Sequence, residues 1–421
     1  MPPFFSIVIP TRQRHETLPF AIKTVLQQSF CDYEIVVADN CSSRETYEVV
    51  QEFDNPKIKY FRSEKPLAMT DNWEFAVSKA AGEYVIVFGD DDGLVNNSLL
   101  YLYQVIQKTG FEVIRWERVY YSWPNIQPSQ FANCLNINFA NNNYLYKGKE
   151  VVQAIVNLNV DYTKLPMLYN SAIKRNMLLK LKQKTGRLLK SIIPDIYSGY
   201  AIAYLSDNYL SLGNSLSING GSAKSNGTAH SFQPQNNSIV NDFKKLNAQS
   251  DLSFHPQLPN ITSMTSAIVE PFFQLRDAIK ICDIKVDKKN IFSTIMKDVR
   301  VFSYEEKNEV ITTLKKYLQE DQILHCILNS RQWKEFSPVI FNSLEVSGYK
   351  KGLNGNVITL NASDFNLLNV FDVSRFVANF YDFNCDNFTY ISVNVKPTPL
   401  RFINKIMKRL YFVVRVLLKG N

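Results

Sequence analysis

YVIVFGDDDG, residues 84 to 93, decides the reading of this chain. Tyr84 to Phe88 is an almost unbroken apolar run, the pattern of a strand buried on both faces. It ends at Gly89, and Asp90, Asp91 and Asp92 follow before Gly93. A buried strand running into a glycine-flanked acidic turn fits an open α/β sheet, where ligands bind beyond the carboxyl ends of the strands.

The flanking sequence supports that reading. Downstream, Ser98 to Lys108 has helical spacing and Gly110 closes it. Upstream, Asp71 to Ala80 is helical, with Gly82 read as its closing glycine. Ile58 to Phe61 predicts a strand, and Ser43 to Phe53 a helix opened by a serine cap. Glu34 to Ala38 is a strand. Thr17 to Gln28 carries apolar residues at Leu18, Ala21, Ile22, Val25 and Leu26, and Phe4 to Pro10 is the first strand. Such alternation implies a mainly parallel sheet with helices on both faces. It also places three polar signals along one rim: Pro10, Thr11 and Arg12 with Arg14 after the first strand, Asp39 and Asn40 after the second, and Asp90 to Asp92 after the fourth.

Beyond this the pattern loosens. Residues 124 to 143 are rich in Asn, Pro and Gln and read as a loop with a short strand. Two helical patterns between 176 and 205 are separated by Pro194. Residues 213 to 238, dense in Gly, Ser and Asn, read as a loop or linker. After about 240 the pattern is mainly helical, with strand-like patches at Val357 to Leu360 and Tyr390 to Val395.

Three adjacent carboxylates in a partly desolvated cleft repel one another. A hard divalent cation, Mg²⁺ or Mn²⁺, relieves this, and it commonly uses one or two carboxylates plus substrate phosphates. The plainer alternative is a solvated turn that caps the next helix. The position directly after a buried strand favours the metal. A Walker A loop and a G-x-G-x-x-G are both absent, which disfavours a P-loop ATPase or a dinucleotide dehydrogenase.

Phe4 to Leu99 resembles the N-terminal half of the family-2 glycosyltransferases of GT-A fold, in particular those of bacterial surface polysaccharides. The stretches that carry the resemblance are FSIVIPTRQR, YEIVVADNCS and MTDNWEFAVSKAAGEYVIVFGDDDGL, in that order and spacing. It fades after about residue 205. It implies a Rossmann-like, nucleotide-sugar-binding mixed sheet flanked by helices, followed by a mainly helical C-terminal region. It also implies that Asp39 contacts the nucleotide base, that Pro10, Thr11, Arg12 and Arg14 line the donor pocket with Asn72, and that Asp91 is the metal carboxylate, with Asp92 as a second ligand and Asp90 beside them on the donor. This chain has Gly89 where many members carry the first acidic residue, so which of the three aspartates holds the metal stays open.

The resemblance further implies an inverting, single displacement at the anomeric carbon, with a carboxylate to take the acceptor proton. Asp195 in IPDIY is the candidate: Pro194 breaks the preceding helix and Asp195 opens the next, where the helix dipole favours its ionised form. Its competitors are a mere N-cap role, Asp161 and Asp207. The resemblance implies a nucleotide-diphosphate sugar as donor, UDP type favoured, and a glycan or lipid-linked glycan as acceptor.

The chain has 421 residues, 45% hydrophobic and 20% charged, so it is globular and not disordered. Six cysteines, none in a C-x-x-C pair, argue against a zinc or redox motif and fit a reducing compartment. The start lacks a signal-peptide pattern, and no run reaches the roughly 18 apolar residues of a membrane span. Much of the net charge of +8 lies at the end. On a helix, Arg401, Lys405, Lys408, Arg409, Arg415 and Lys419 share one side and apolar residues the other, as in a helix lying on an anionic membrane surface. Docking of that helix on the protein's own core is the alternative.

The expected organisation is a GT-A domain over 1–235, a mainly helical domain over 236–400 and a basic amphipathic helix over 401–421. The protein would be cytoplasmic and bound peripherally to the inner face of the plasma membrane. Nucleic acid is not an expected partner, because the charge is not interleaved with aromatic platforms. A nucleotidyltransferase and a non-catalytic nucleotide-sugar-binding scaffold remain as alternatives.

Overall fold

A computed structural model describes residues 1–139, 142–227, 238–261, 263–299 and 349–393, together with 312, 313, 322 and 395. The first unit alternates as the apolar pattern requires: β1 (Phe5–Thr11), α1 (Leu18–Leu26), β2 (Tyr33–Asp39), α2 (Arg44–Gln51), β3 (Ile58–Arg62), α3 (Met69–Ser78), β4 (Tyr84–Val87), the two-residue β5 (Gly93–Leu94) and α4 (Ser98–Thr109). β1 pairs in parallel with both β2 and β4, and β2 with β3. The spatial order is therefore β3-β2-β1-β4, and the chain switches direction across the sheet between β1 and β4. Such a switch point opens a crevice at the strand ends.

Both faces of these strands are buried, by alternation with period two. Val8, Val36, Val85 and Val87 face one layer, packed with Ala76 of α3. Ile7, Ile9, Ile35, Val37 and Ile86 face the other, packed with Leu18, Ile22 and Val25 of α1 and with Leu99, Leu102 and Val105 of α4. Gly110 closes α4 at φ 69°, as its position predicts. Gly82 has a different role from the expected one. Helix α3 ends on Lys79, and a Cβ at Gly82 would sit 2.6 Å from the backbone nitrogen of Ser6. The glycine is there for close approach to β1, whose Ser6 Oγ accepts its N–H. Ser43 occupies the cap position of α2 without a side-chain capping bond.

The sheet continues through β6 (Val113–Ser122), β7 (Cys134–Asn138), β8 (Tyr144–Lys147), α5 (Gly148–Val156), β9 (Ser171–Lys174), α6 (Arg175–Thr185), α7 (Pro194–Leu205) and β10 (Asn208–Gly221). β9 pairs antiparallel with β4 and with β6, which makes the sheet mixed. β10 is a correction to the loop expected from 213. The Gly-Ser-Asn composition hides a strand that pairs with β5, β6 and β8. Its buried Leu210, Leu212, Leu216 and Ile218 keep the alternation that small polar residues between them obscure.

Helices α8 (Ser238–Ala248), α9 (Met264–Ile279) and α10 (Lys288–Val299) follow, α9 packing on α7. Between 349 and 393 lie β11 (Gly352–Asn354), β12 (Val357–Asn361), α11 (Val370–Ala378) and β13 (Ile391–Val393). β12 joins the main sheet beside β7, and β13 pairs with β8. The result is α/β: a large mixed sheet flanked by helices, as a GT-A type fold requires, with helices dominating 238–299. The basic tail at 401–421 lies outside the described residues. No helix among the described residues is long and apolar enough to cross a membrane.

Candidate functional site

Register brings the rim together. Thr11 stands opposite Asp39, and Asp39 opposite Arg62, across β1, β2 and β3. Pro10 precedes Thr11, buried opposite Ala38. Thr11 Oγ1 donates to Asp90 Oδ2 at 2.6 Å, and the backbone N–H of Arg12 donates to the same oxygen at 3.3 Å. The ends of β1 and β4 are thus tied by the residue types that their sequence pattern singles out.

The three aspartates are all buried, and they divide the work. Asp92 is committed to structure: its Oδ2 accepts from Gly89 N at 2.8 Å, and its Oδ1 from Gly220 N at 2.7 Å and Asn219 Nδ2 at 3.3 Å. Asp91 Oδ2 accepts from Ser222 Oγ at 2.6 Å and lies 3.5 Å from Arg14 Nη1. The same guanidinium is 3.8 Å from Asp90 Oδ1. Asp90 Oδ1 and Asp91 Oδ1 accept no hydrogen bond among the described residues. Burial, with Arg14 opposing and Asp91 reinforcing it, pushes the Asp90 carboxyl above its ordinary range. Burial and then Asp91 push Asp92 up as well, against the Gly89 and Gly220 donors.

Asp90 and Asp91 therefore fit a hard divalent cation. They are adjacent, undercompensated carboxylates with a free oxygen each, the set that Mg²⁺ or Mn²⁺ completes with substrate phosphates. Among the described residues no group of three or more His, Cys, Asp or Glu gathers for a metal. A metal here would depend on the ligand's oxygens.

Two other features fix the turn. A Cβ at Gly220 would fall 1.8 Å from the Asp91 carbonyl oxygen, so only glycine lets β10 pass there. Trp123 Nε1 donates to that same carbonyl at 2.9 Å. Neither was legible in the sequence, because each acts across the sheet; the Gly220-Gly221 pair at the end of the hidden strand was the available signal.

Asp39 is fully buried. Its Oδ1 accepts from Ser42 N at 3.0 Å, and its Oδ2 from Tyr60 Oη at 2.5 Å, with Arg62 Nη1 at 3.6 Å. It both holds the turn after β2 and stands on the rim. The Arg12 guanidinium turns away from Asp90 to Asp242 on α8, at 2.9 Å, and to the carbonyl of Asn40, so only its N–H joins the aspartates. Asn72 on α3 is buried with its Oδ1 unpartnered, while Trp73 packs against the core. The segment after β10 runs over the rim: Ser222 binds Asp91, the Lys224 carbonyl accepts from Arg14, and Asn226 Nδ2 lies 3.7 Å from Met69 Sδ on α3.

Asp195 lies in the first turn of α7, one residue inside Pro194, with Ile193 in the cap position. It is not the N-cap. Burial raises its pKa above the ordinary carboxylate value, while the Ile196 N–H and Arg118 oppose the rise. Asp161 caps a short helical turn, accepting from Thr163 N and Oγ1. Asp207 is exposed beyond the opposite end of α7, about 18 Å away at 1.5 Å per residue. The charge of Arg118 on β6 favours the ionised forms of both Asp92 and Asp195. Nothing in the sequence marked it, since a charged residue in a strand is unremarkable without the partner strands.

Residues 6–161 match the family model described as Glycosyl transferase family 2. Over 105 residues the chain is 37% identical to a Campylobacter jejuni GalNAc(5)-diNAcBac-PP-undecaprenol beta-1,3-glucosyltransferase, covering 24% of this chain and 34% of the relative. Over 94 residues it is 29% identical to an Escherichia coli UDP-Glc:alpha-D-GlcNAc-diphosphoundecaprenol beta-1,3-glucosyltransferase, covering 22% and 37%. The matched part spans about a third of these relatives' length. A crystal structure of S. aureus TarS 1-349 in complex with UDP-GlcNAc aligns with 78% of this chain and 84% of that one, at 15% identity and a TM-score of 0.45.

Proposed function

We propose that this chain, whose residues 6–161 carry a glycosyl transferase family 2 domain, is an inverting glycosyltransferase that moves a sugar from a nucleoside-diphosphate sugar to a glycan or lipid-linked glycan. The observation that carries the reading is the rim itself: Thr11, Arg14, Asp39, Asp90 and Asp91 meet at the switch point of the sheet. UDP is the favoured nucleotide, in keeping with the name of the Escherichia coli relative, and a diphospholipid-linked saccharide the favoured acceptor, in keeping with the names of both relatives.

In this reading Asp39 meets the nucleotide base, and Arg14 meets the diphosphate when it leaves its carboxylate partners. Asp90 and Asp91 would hold Mg²⁺ or Mn²⁺, which when bound supplies positive charge to the departing diphosphate. Asp92 serves the site as a strut between the acidic turn and β10. The acceptor hydroxyl attacks the anomeric carbon as the bond from that carbon to the diphosphate oxygen breaks. The hydroxyl proton passes to the Asp195 carboxylate, and the nucleoside diphosphate leaves. One displacement inverts the anomeric configuration.

The organisation that goes with this reading is a catalytic unit over 1–235, with 236–400 adding helices and, through β12 and β13, extending the same sheet. The basic, apolar-backed sequence of 401–421 would bind an anionic membrane surface and hold the protein at the cytoplasmic face near lipid-linked acceptors. The test is titration of the purified chain with nucleotide sugars and nucleoside diphosphates, with Mn²⁺ and with chelator. Metal-dependent binding of one nucleotide family is expected. A folded protein that binds none of them would sink the reading and leave a scaffold.

A further inference from the structure

We propose that Arg118, Tyr120, Tyr162 and Tyr169 form an acceptor subsite that takes a saccharide carrying an anionic group. The inference rests on the reading of Asp195 as the base.

β6 carries two arginines in different states. Arg115 is fully buried and pairs with Glu117 at 3.0 Å, and Glu117 also accepts Lys164 at 2.8 Å. That charge is neutralised inside the protein. Arg118 is half-buried, and it forms no ion pair among the described residues. Its Nη2 donates to Tyr169 Oη at 3.3 Å and reaches Tyr120 Oη at 3.5 Å. Its guanidinium carbon lies 4.0 Å from the Tyr169 ring centroid and 5.4 Å from that of Tyr120. Ring faces and neutral hydroxyls compensate a partly desolvated cation only in part. A planar guanidinium with donors to spare is completed by a carboxylate or phosphate, which it grips through paired hydrogen bonds.

The position selects the acceptor over the donor. The rim has its own cation for the donor diphosphate, Arg14, on Asp90 and Asp91. The groups that share Arg118's field are Tyr169, Tyr120, Asp92 and Tyr162, with Asp195 on the acceptor side. Asp92 spends its hydrogen bonds on Gly89, Asn219 and Gly220, which leaves the guanidinium's donors to a ligand. Burial holds both phenols above their ordinary range, so they stay neutral donors. Tyr120 is 42% exposed, leaving a flat ring beside the cation. A sugar whose apolar C–H face lies on Tyr120 would set an oxyanion against Arg118 and a hydroxyl toward Asp195. The oxyanion is a phosphate on the sugar or a carboxylate on the ring.

The test uses the full chain saturated with UDP and Mg²⁺. Saturation-transfer NMR titrations follow N-acetylglucosamine 1-phosphate, methyl β-glucuronide and methyl β-glucoside. An anionic probe is expected to bind at least about ten-fold more tightly than the neutral one, a typical gain for one charge-assisted pair. Arg118→Gln should erase that preference, and Tyr120→Ala should weaken every probe, while UDP affinity in both variants stays at the wild-type value. Preference for the phosphate alone assigns a glycosyl phosphate, for the glucuronide alone a uronic acid, and for both any oxyanion one ring from the hydroxyl. Equal binding of charged and neutral probes, a preference that survives Arg118→Gln, or no sugar binding with UDP bound would each overturn the subsite. Failure of the wild type to bind any nucleoside diphosphate would instead overturn the transferase reading beneath it.

Discussion

The two halves of the site are built differently. The half proposed to hold the donor is made of strand ends: Thr11, Asp39 and Asp90 to Asp92 each follow or close a strand of the parallel core, and hydrogen bonds between neighbouring strands hold them. The opposite half is assembled from pieces distant in sequence: Arg118 from β6, Tyr162 and Tyr169 from short helical turns, Asp195 from the start of α7. In the half proposed for the donor most polar atoms already have protein partners, and Asp90 Oδ1, Asp91 Oδ1 and Asn72 Oδ1 accept no hydrogen bond among the described residues. In the other half the Arg118 guanidinium lies against tyrosine rings and hydroxyls and forms no direct ion pair among the described residues. A finished frame with one opening suits a constant ligand such as a nucleotide diphosphate. An uncompensated cluster suits a ligand that differs between relatives.

The largest expected effect tests the division of labour. Asp195→Asn should lower transfer by about 10²- to 10⁴-fold, the range for losing a positioned general base. Nucleotide affinity should stay unchanged, because Asp195 belongs to the half that the donor does not need. Steady-state turnover beside a UDP titration measures both. Near-normal turnover would move the base elsewhere and join the two halves into one.

Next comes Asp91→Asn against Asp92→Asn. If Asp91 faces a metal and Asp92 only braces β10, the first should abolish the Mn²⁺ dependence of nucleotide binding. The second should keep it and lower the melting temperature. Gly220→Ala extends the comparison to backbone. A methyl 1.8 Å from the Asp91 carbonyl must displace β10. Overpacking of this kind costs about 1–3 kcal/mol or more. Denaturant unfolding reads it, and wild-type stability would mean that the turn and β10 are not locked.

These residues also mark how far the sequence could be read. The rim was legible because a buried parallel strand has a predictable end, and ligand-binding residues collect there. β10 was not, because Ser and Gly between its leucines mimic a loop, and only pairing to β5, β6 and β8 reveals it. Gly82 reads as a local helix-closing glycine, and the structure corrects this: the helix ends earlier, and a long-range contact with Ser6 decides the residue. Asp92 carried the same ambiguity. The sequence put three like carboxylates in a row, and only neighbours from β10 separate the strut from the other two. Local rules reach what adjacent residues determine, and the Arg118 cluster lies wholly outside them.

A smaller effect concerns charge. The native state binds protons on Asp90 and Asp92 more tightly than the unfolded chain does, since burial raises both pKa values. Without metal, these groups therefore stabilise the fold at low pH, and that contribution is lost as pH rises through their raised values. The melting temperature of Asp92→Asn should fall less, from weakly acidic to weakly alkaline pH, than that of the wild type. Mn²⁺ should raise the wild-type value mainly at the alkaline end, where the carboxylates are ionised. Equal pH slopes with and without Mn²⁺ would mean that no cation answers the buried charge.

The smallest effect asks whether the donor half extends into the added helices. Arg12 and Asp242 meet at 2.9 Å with side chains 27% and 45% exposed. An ion pair this open is worth about 0–1 kcal/mol, because water screens it and two side chains lose freedom. A double-mutant cycle of Arg12→Gln and Asp242→Asn should return a coupling in that range for unfolding. Nucleotide affinity should be unmoved by either change, since the Arg12 contribution to Asp90 is its backbone N–H, which both variants keep. A large loss of UDP affinity in Arg12→Gln alone would instead give its side chain a ligand of its own. Helix α8 would then be holding that arginine back until the donor arrives, and the boundary between the two halves would run through Arg12.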